Sequence, residues 1–302
     1  MKIVVAGASG LIGSALVSAL RARGDDVVQL VRRPARAPAE RSWDPGSGVL
    51  DDDVLAGADA VVNLGGAGLG DRRWSTAYLR VVRESRIGPT SLLARSMARL
   101  DDGPQILVQA SAVGFYGDRG ETIVDEDDER GDGLVPELVE DWEAATAPAA
   151  RAGVRVAQVR TGIVLARGGA LSRLIPLARW GVAGRLGPGT QFWSWISLED
   201  EIRALLKVID APIHGPMNLV APEAVRNAEL VATLARTFGR PAPVPVPAWA
   251  LRVGLGGFAS ELLASQRVAP SVLLAHDFTF VHPRLTDAID AVVNPREAPR
   301  DR

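Results

Sequence analysis

Apolar positions in the first half of the chain come in short unbroken blocks. KIVVA (Lys2–Ala6), DVVQLV (Asp26–Val31), DAVVNL (Asp59–Leu64), QILVQAS (Gln105–Ser111) and VRVAQVR (Val154–Arg160) read as strands buried on both faces, as in a parallel sheet. Between them the apolar period lengthens to that of a helix, from Leu11 to Gly24, over Ser75–Leu100 and over Pro136–Ala150. Regular β/α alternation predicts a doubly wound parallel sheet with right-handed crossovers, a Rossmann-type α/β fold. Ligands of such sheets sit at the carboxyl ends of the strands, so the loops after residues 6, 31, 64, 111 and 160 carry the chemistry.

The alternation weakens after residue 165. Leu171–Trp180 reads as a helix, Met217–Val220 as one more strand, and Asn227–Gly239 as a helix capped by its Asn. A proline spacer, PAPVPVP, fills 241–247, and 248–293 is amphipathic and partly helical. The expected division is a nucleotide-binding domain over 1–165 and a smaller mixed α/β domain over 166–302, with PREAPRDR as a frayed tail.

Composition narrows the partners. A net charge of −2 gives no global attraction to nucleic acid or anionic membrane, and no apolar run is long enough to span a bilayer. Cysteine is absent, which excludes disulfides and thiolate chemistry. Lys2 leads straight into a strand rather than a leader, so cytoplasmic residence is the expectation. Lysine occurs only at positions 2 and 207; the remaining positive charge is arginine.

The most informative loop is the first. Gly7, Gly10 and Gly13 stand at G-x-x-G-x-x-G spacing between a strand and a helix. The first allows a tight turn, the second lets phosphate approach the backbone, and the third lets the helix lie against the strand. Gly7, Ser9, Gly10, Leu11, Ile12 and Gly13 then form a cradle for a dinucleotide pyrophosphate at a helix N-terminus. In such folds an acidic residue after the second strand reads the adenosine ribose and favours NAD. Here Val31 is followed by Arg32-Arg33-Pro34-Ala35-Arg36, with no carboxylate before Glu40. Guanidinium groups suit a 2′-phosphate, so the expected cofactor is NADP(H).

GASGLIG from Gly7, SAVGFYG from Ser111 and RTGIVL from Arg160 together resemble the extended short-chain dehydrogenase/reductase superfamily. WDP at 43–45, RRW at 72–74, ESRIGPT at 84–90, DWEAA at 141–145, GPMNLVAPEAVRNAEL at 215–230 and SQRVAPSVLLAHDFTFVHPRLTDAI at 265–289 resemble its atypical "epimerase family" branch, with an N-terminal NAD(P)-binding domain and a small C-terminal domain of unknown function. The resemblance spans essentially the whole chain. It implies that Leu64 and Gly65 lie under the adenine-ribose and pyrophosphate half of the cofactor, that Ala110 and Ser111 approach the nicotinamide, and that Arg86 stands near the cofactor. It also implies a substrate segment around QFWSWISLED, where Trp193 and Trp195 share strand-face parity and suit either a ring-binding wall or an inter-domain core. Relatives carry a His where Ser197 stands, and dimerisation through the two long helices is common in the superfamily.

The superfamily's Tyr-x-x-x-Lys pair is missing. The only tyrosines are Tyr78 and Tyr116, and neither precedes a lysine by four residues. Three candidates remain for proton chemistry. Ser111 ends the fifth strand, Tyr116 follows in a turn expected to face the same crevice, and Glu143 lies on the helix that should have carried the pair. His214, His276 and His282 lack metal-ligand spacing and read as structural. The leading expectation is an NADP(H)-dependent oxidoreductase or epimerase-like enzyme, monomeric or homodimeric, acting on a small carbonyl or hydroxyl compound, with sugar-related compounds among the candidates. The rival is a non-catalytic NADP(H) sensor or partner-binding protein on a dehydrogenase scaffold. A Trp142 filling the space beside the nicotinamide would favour the rival.

Overall fold

The structure, a computed structural model, describes residues 1–295. Its first part runs β1 (Lys2–Ala6), α1 (Leu11–Ala22), β2 (Asp26–Val31), β3 (Glu40–Ser42), β4 (Ala60–Asn63), α2 (Thr76–Arg99), β5 (Ile106–Ala112), β6 (Ile123–Val124), α3 (Leu134–Ala144), α4 (Ala147–Arg151) and β7 (Arg155–Thr161). The second runs β8 (Ile163–Leu165), α5 (Gly169–Arg179), β9 (Phe192–Trp193), β10 (Trp195–Ser197), α6 (Leu198–Asp210), β11 (Gly215–Leu219), β12 (Val225–Arg226), α7 (Asn227–Thr237), α8 (Ala248–Leu255), α9 (Phe258–Leu263), β13 (Arg267–Val268), α10 (Ser271–Ala275) and α11 (Leu285–Val293).

Seven strands form one parallel sheet in the order β11-β7-β5-β4-β1-β2-β3. One face buries Leu16 and Leu20 of α1 with Ile202, Leu205 and Ile209 of α6. The other buries Leu92, Leu93 and Met97 of α2 with Ala149 of α4. Each fully buried aliphatic side chain contributes roughly 1.5–3 kcal/mol, so these two layers supply most of the driving force for the domain. A third core holds Leu171, Leu230, Leu234 and Ile289 around Trp193 and Trp195. The two tryptophans are therefore interior to the C-terminal unit, 7% and 0% exposed, and form no open aromatic wall.

Three local differences from the sequence pattern have physical causes. The helix expected over 136–150 is two helices, because Pro148 has no N–H for the Ala144 carbonyl and the chain turns at Ala145 and Thr146. Asn227 is the first residue of its helix rather than its cap; its Oδ1 accepts from Leu186 N at 2.7 Å. The short edge strand β3 has no apolar run to announce it and is half exposed.

A division at residue 165 does not follow the sheet. β11 pairs with β7, and α6 covers α1, so residues 198–219 belong structurally with the first domain. The tail expected at 295–302 lies outside the described residues beyond Pro295. No helix among the described residues is long and apolar enough to cross a membrane.

Candidate functional site

The glycine turn is built as its spacing predicts. Gly7 has φ +80°, and a Cβ there would meet the Leu64 carbonyl carbon at 2.7 Å. A Cβ on Gly13 would lie 2.2 Å from the Gly7 carbonyl oxygen. Packing alone demands both glycines. Gly10 differs, since a Cβ on it would meet only the Gly7 oxygen, at 3.4 Å. The protein leaves room for a side chain there and carries none, as a backbone approached by a ligand requires. Gly10 is the N-cap of α1, whose first turn has no side-chain cap and no acidic residue. Its N-terminal N–H groups and partial positive charge therefore remain available to an anion. Residues Ser9, Leu11 and Ile12 line the turn, and Leu64 and Gly65 form its far wall.

Arg86 of α2 bounds the same crevice. Its guanidinium lies 5.0 Å from the Trp142 ring centroid and donates to the carbonyls of Ala67 (2.9 Å) and Val82 (3.1 Å). It stands beside Gly66, whose Cβ would be 3.2 Å from Arg86 Cζ. Among the described residues it has no carboxylate partner, and burial brings its pKa down to about 10. An uncompensated, partly desolvated cation over a glycine loop is suited to a phosphate or ribose. Trp142 is buried in the seam between α2 and α3, where its Nε1 donates to Thr90 Oγ1 at 3.0 Å.

The structure separates the arginines that follow β2. Arg33 is engaged bidentately by Glu40 at 2.8 and 2.6 Å, and Glu40 also accepts from Arg36 N. Arg33 beside it holds the Glu40 carboxyl down at about 2. Arg32, next to Val31 at the strand end, is exposed and has no ion-pair partner among the described residues. Glu40 thus neutralises Arg33 and leaves Arg32, at the strand end, and Arg36 without an ion-pair partner among the described residues. A bidentate pair is stronger than a single contact, so Arg33 is less available than Arg32.

Ser111, Arg160 and Asn218 stand in register across β5, β7 and β11. In-register residues of parallel neighbours share a face, so the three make a polar row at the carboxyl edge. Ser111 Oγ donates to Glu143 Oε1 at 2.5 Å. Arg160 grips the same carboxylate with Nε on Oε1 at 2.9 Å and Nη2 on Oε2 at 3.0 Å. Its remaining arm, Nη1, donates to Tyr116 Oη at 3.0 Å, and its plane lies 3.5 Å from the Phe115 ring centroid. Tyr116 Oη in turn donates to Asn218 Oδ1 at 2.9 Å.

Ser111 and Glu143 are thereby brought together, and Glu143 is a partly buried, paired carboxylate rather than a solvated helix charge. Tyr116 is elsewhere. It is 0% exposed, and burial pushes its pKa up to about 12. Its turn tucks the ring inward against Val113, Val124 and Val220, so its hydroxyl does not face the crevice. Ala110 points to the opposite face of the sheet from Ser111, by strand alternation. On that face Thr161 donates to Glu201 at 2.9 Å. Glu201 is fully buried, its Oε2 has no partner among the described residues, and burial pushes its pKa up to about 8.

Arg160 and Asn218 escaped the sequence reading, although each is a polar residue inside a strand of the central sheet. His282 Nδ1 of the C-terminal segment lies 3.2 Å from Ser197 Oγ. No group of His, Asp and Glu side chains among the described residues is arranged to hold a metal.

Residues 3–220 match the model of the NAD dependent epimerase/dehydratase family, and residues 246–292 match DUF1731, a domain of unknown function. An epimerase family protein of Mycobacterium leprae is 45% identical over 290 residues, covering 95% of this chain and 94% of that protein. The crystal structure of human epimerase family protein SDR39U1 (isoform 2) with NADPH is 33% identical, with a TM-score of 0.90 over 98% of this chain and 100% of that one. The nucleoside-diphosphate sugar epimerase from Corynebacterium glutamicum is 38% identical, with a TM-score of 0.81 over 97% of this chain and 58% of the other. A glycine cradle, a parallel sheet and a match over most of the length converge: the chain belongs to the NAD dependent epimerase/dehydratase family, followed by a DUF1731 segment.

Proposed function

We propose that this protein binds NADP(H) and uses it to interconvert a small alcohol and its carbonyl compound, with Ser111 and Glu143 handling the proton. The observation that carries this reading is the 2.5 Å hydrogen bond from Ser111 to Glu143 at the carboxyl edge of the central strands. The bare Gly10 and the unpaired Arg86 fit a pyrophosphate-containing ligand, and the open Arg32 fits a 2′-phosphate. The NADPH bound by human SDR39U1 supports the same choice.

When bound, the dinucleotide supplies or accepts the hydride. Gly10, Leu11 and Ile12 would hold its pyrophosphate, Arg32 its 2′-phosphate, and Arg86 the phosphate–ribose stretch nearer the sheet centre. In the oxidative direction Ser111 Oγ accepts the substrate hydroxyl proton as its own proton passes to Glu143. In the reductive direction Glu143 returns a proton through Ser111 to the carbonyl oxygen. Arg160 keeps both carboxylate oxygens oriented. Tyr116 serves as a buried brace rather than as the acid.

The test is a fluorescence titration with NADPH and NADH, on wild type and Arg32→Ala, followed by turnover on a panel of small aldehydes, ketones and alcohols. Preferential NADPH binding that Arg32→Ala abolishes, with turnover lost in Glu143→Gln, supports the reading. Equal binding of both nucleotides refutes the 2′-phosphate assignment. Tight NADPH binding without turnover on any substrate favours a sensor.

A further inference from the structure

The segment matched by the domain of unknown function is joined to Ser111 by an unbroken chain of hydrogen bonds. It starts at the Ala269 carbonyl, which accepts from Asn218 Nδ2 at 2.9 Å. Asn218 Oδ1 accepts from Tyr116, Tyr116 accepts from Arg160, Arg160 donates to Glu143, and Glu143 accepts from Ser111.

The first link sets the direction of the Asn218–Tyr116 link, while Arg160 can only donate to Tyr116 and Glu143, and the Glu143 carboxylate can only accept from Ser111. A backbone carbonyl can only accept, so the amide of Asn218 must turn its NH2 group toward Ala269 and its oxygen toward Tyr116. That oxygen can only accept, so the single Tyr116 proton is committed to it. The Tyr116 oxygen then offers a lone pair to Arg160 Nη1. With Nη1 held on one side, Phe115 beneath the plane and Glu143 on the other edge, the guanidinium has one orientation. A reversed Asn218 would set two acceptors against each other at Ala269.

Ala269 itself is held from several sides. Its N–H donates to Val124 O at 2.8 Å, just after β13 pairs with β6. Ser265 Oγ donates to Gly120 O at 2.5 Å, and Arg119 N donates to Ser265 O at 2.8 Å. Glu126 collects Asn218 N at 2.9 Å, Ser271 N at 3.1 Å and Val272 N at 3.3 Å. The C-terminal segment is therefore stitched to the loop that follows Tyr116 and to the strand that carries Asn218. Asn218 and Tyr116 are 0% exposed and Arg160 is 3% exposed, so water does not compete for these links.

We infer that the C-terminal segment is a positioning device for the site: through Ala269, Asn218, Tyr116 and Arg160 it sets the orientation of Glu143 against Ser111. Asn218, Tyr116 and Arg160 are positioning residues, and none of them touches a substrate. The inference rests on the reading of Ser111 and Glu143 as the proton pair for its catalytic consequence, but not for its structural one.

The test uses the full-length protein and two readouts. The first is the Nε–H resonance of Arg160 in 15N-labelled protein, assigned by its absence in Arg160→Lys; it should be shifted and slow to exchange in wild type. Tyr116→Phe removes only the hydroxyl, and Asn218→Ala removes both links above it. Each should raise the exchange rate of this proton about ten-fold or more, the effect of losing one hydrogen bond's free energy. The second readout is turnover. Both variants should lose about ten-fold in kcat with KM and NADPH affinity little changed, because orientation and not binding is disturbed.

Unchanged exchange in a folded Tyr116→Phe overturns the inference whatever the activity. Faster exchange in both variants, with no turnover by wild type on any substrate, supports the positioning chain and refutes the oxidoreductase reading instead. If Asn218→Ala fails to fold, Tyr116→Phe alone decides. A fall in NADPH affinity that matches the fall in kcat also overturns the inference, since a positioning role for Glu143 would leave cofactor binding intact.

Discussion

The two halves of the candidate site are made of different material. The cofactor edge around Gly7, Gly10 and Gly13 is backbone: it works because side chains are absent, and its parts lie within one turn of chain. The Ser111–Glu143–Arg160–Tyr116–Asn218 edge is side chain, and its ends are 107 positions apart in sequence. The first is assembled by local geometry and the second by strand register. Backbone sites tolerate variation in the surrounding sequence and fail only when a Cβ appears. Side-chain networks fail link by link, and each link lost leaves a buried partner uncompensated.

The sharpest way to break this comparison is Arg160→Ala. It strips a partly buried carboxylate of both its ion-pair contacts and a buried tyrosine of its donor. The expected loss is about 3–5 kcal/mol of unfolding free energy by urea denaturation, well above the typical single-site effect. A loss below about 1 kcal/mol, the scale of a surface pair, would show that the network is decorative.

The corresponding blow to the backbone edge is Gly13→Ala. With a Cβ 2.2 Å from the Gly7 oxygen, the turn must shift, and the variant should lose measurable NADPH binding together with about 1–3 kcal/mol of stability. Gly10→Ala should differ in kind. It should keep wild-type stability in urea yet weaken NADPH about ten-fold or more, since only the ligand needs that space. Equal effects of the two substitutions would erase the distinction between a packing glycine and a binding glycine.

The opposite face of β7 offers a third test. The folded chain holds the Glu201 pKa at about 8 against an ordinary 4.5, so it keeps a proton that the unfolded chain releases. Stability contributed by this group is complete below pH 4.5 and declines as pH rises toward 8. Glu201→Gln should flatten stability against pH across that window, and an unchanged slope would mean that water reaches Glu201. The smallest effect expected is at the ribose loop. Arg32→Ala should weaken NADPH about ten-fold, and Arg33→Ala should weaken it less than about three-fold, because Arg33 is already held by Glu40. A reversed ranking would mean that the phosphate displaces Glu40.

How much was legible follows the same divide. β2 has the bounds that its apolar run predicts, and α2 runs between the predicted Ser75 and Leu100 as its caps. Those elements are long or strongly periodic, and burial enforces their pattern. β3 is too short and too polar to be read, and Pro148 divides a helix whose apolar period runs through it. At the site, Ser111 and Glu143 were named separately, by position at a strand end and on a helix, with nothing to say that they touch. Tyr116 was chosen for its chemistry and belongs to the core. Arg160 and Asn218 were visible only as polar residues within strands of a buried sheet, a signal that burial of unpaired polar groups is costly and that partners must exist.

From the sequence alone came the β/α order, the parallel sheet, the glycine cradle, the arginine cluster after the second strand and the absence of a Tyr–Lys pair. These are properties of residues near one another or of residue types counted along the chain. Tertiary structure decided that β11 returns to the first domain, that Glu40 closes on Arg33, that both tryptophans at 193 and 195 are core, and that Ala269 reaches Ser111 through four side chains. Such contacts depend on which strands become neighbours and in what register, and no local pattern encodes a register between strands separated by helices.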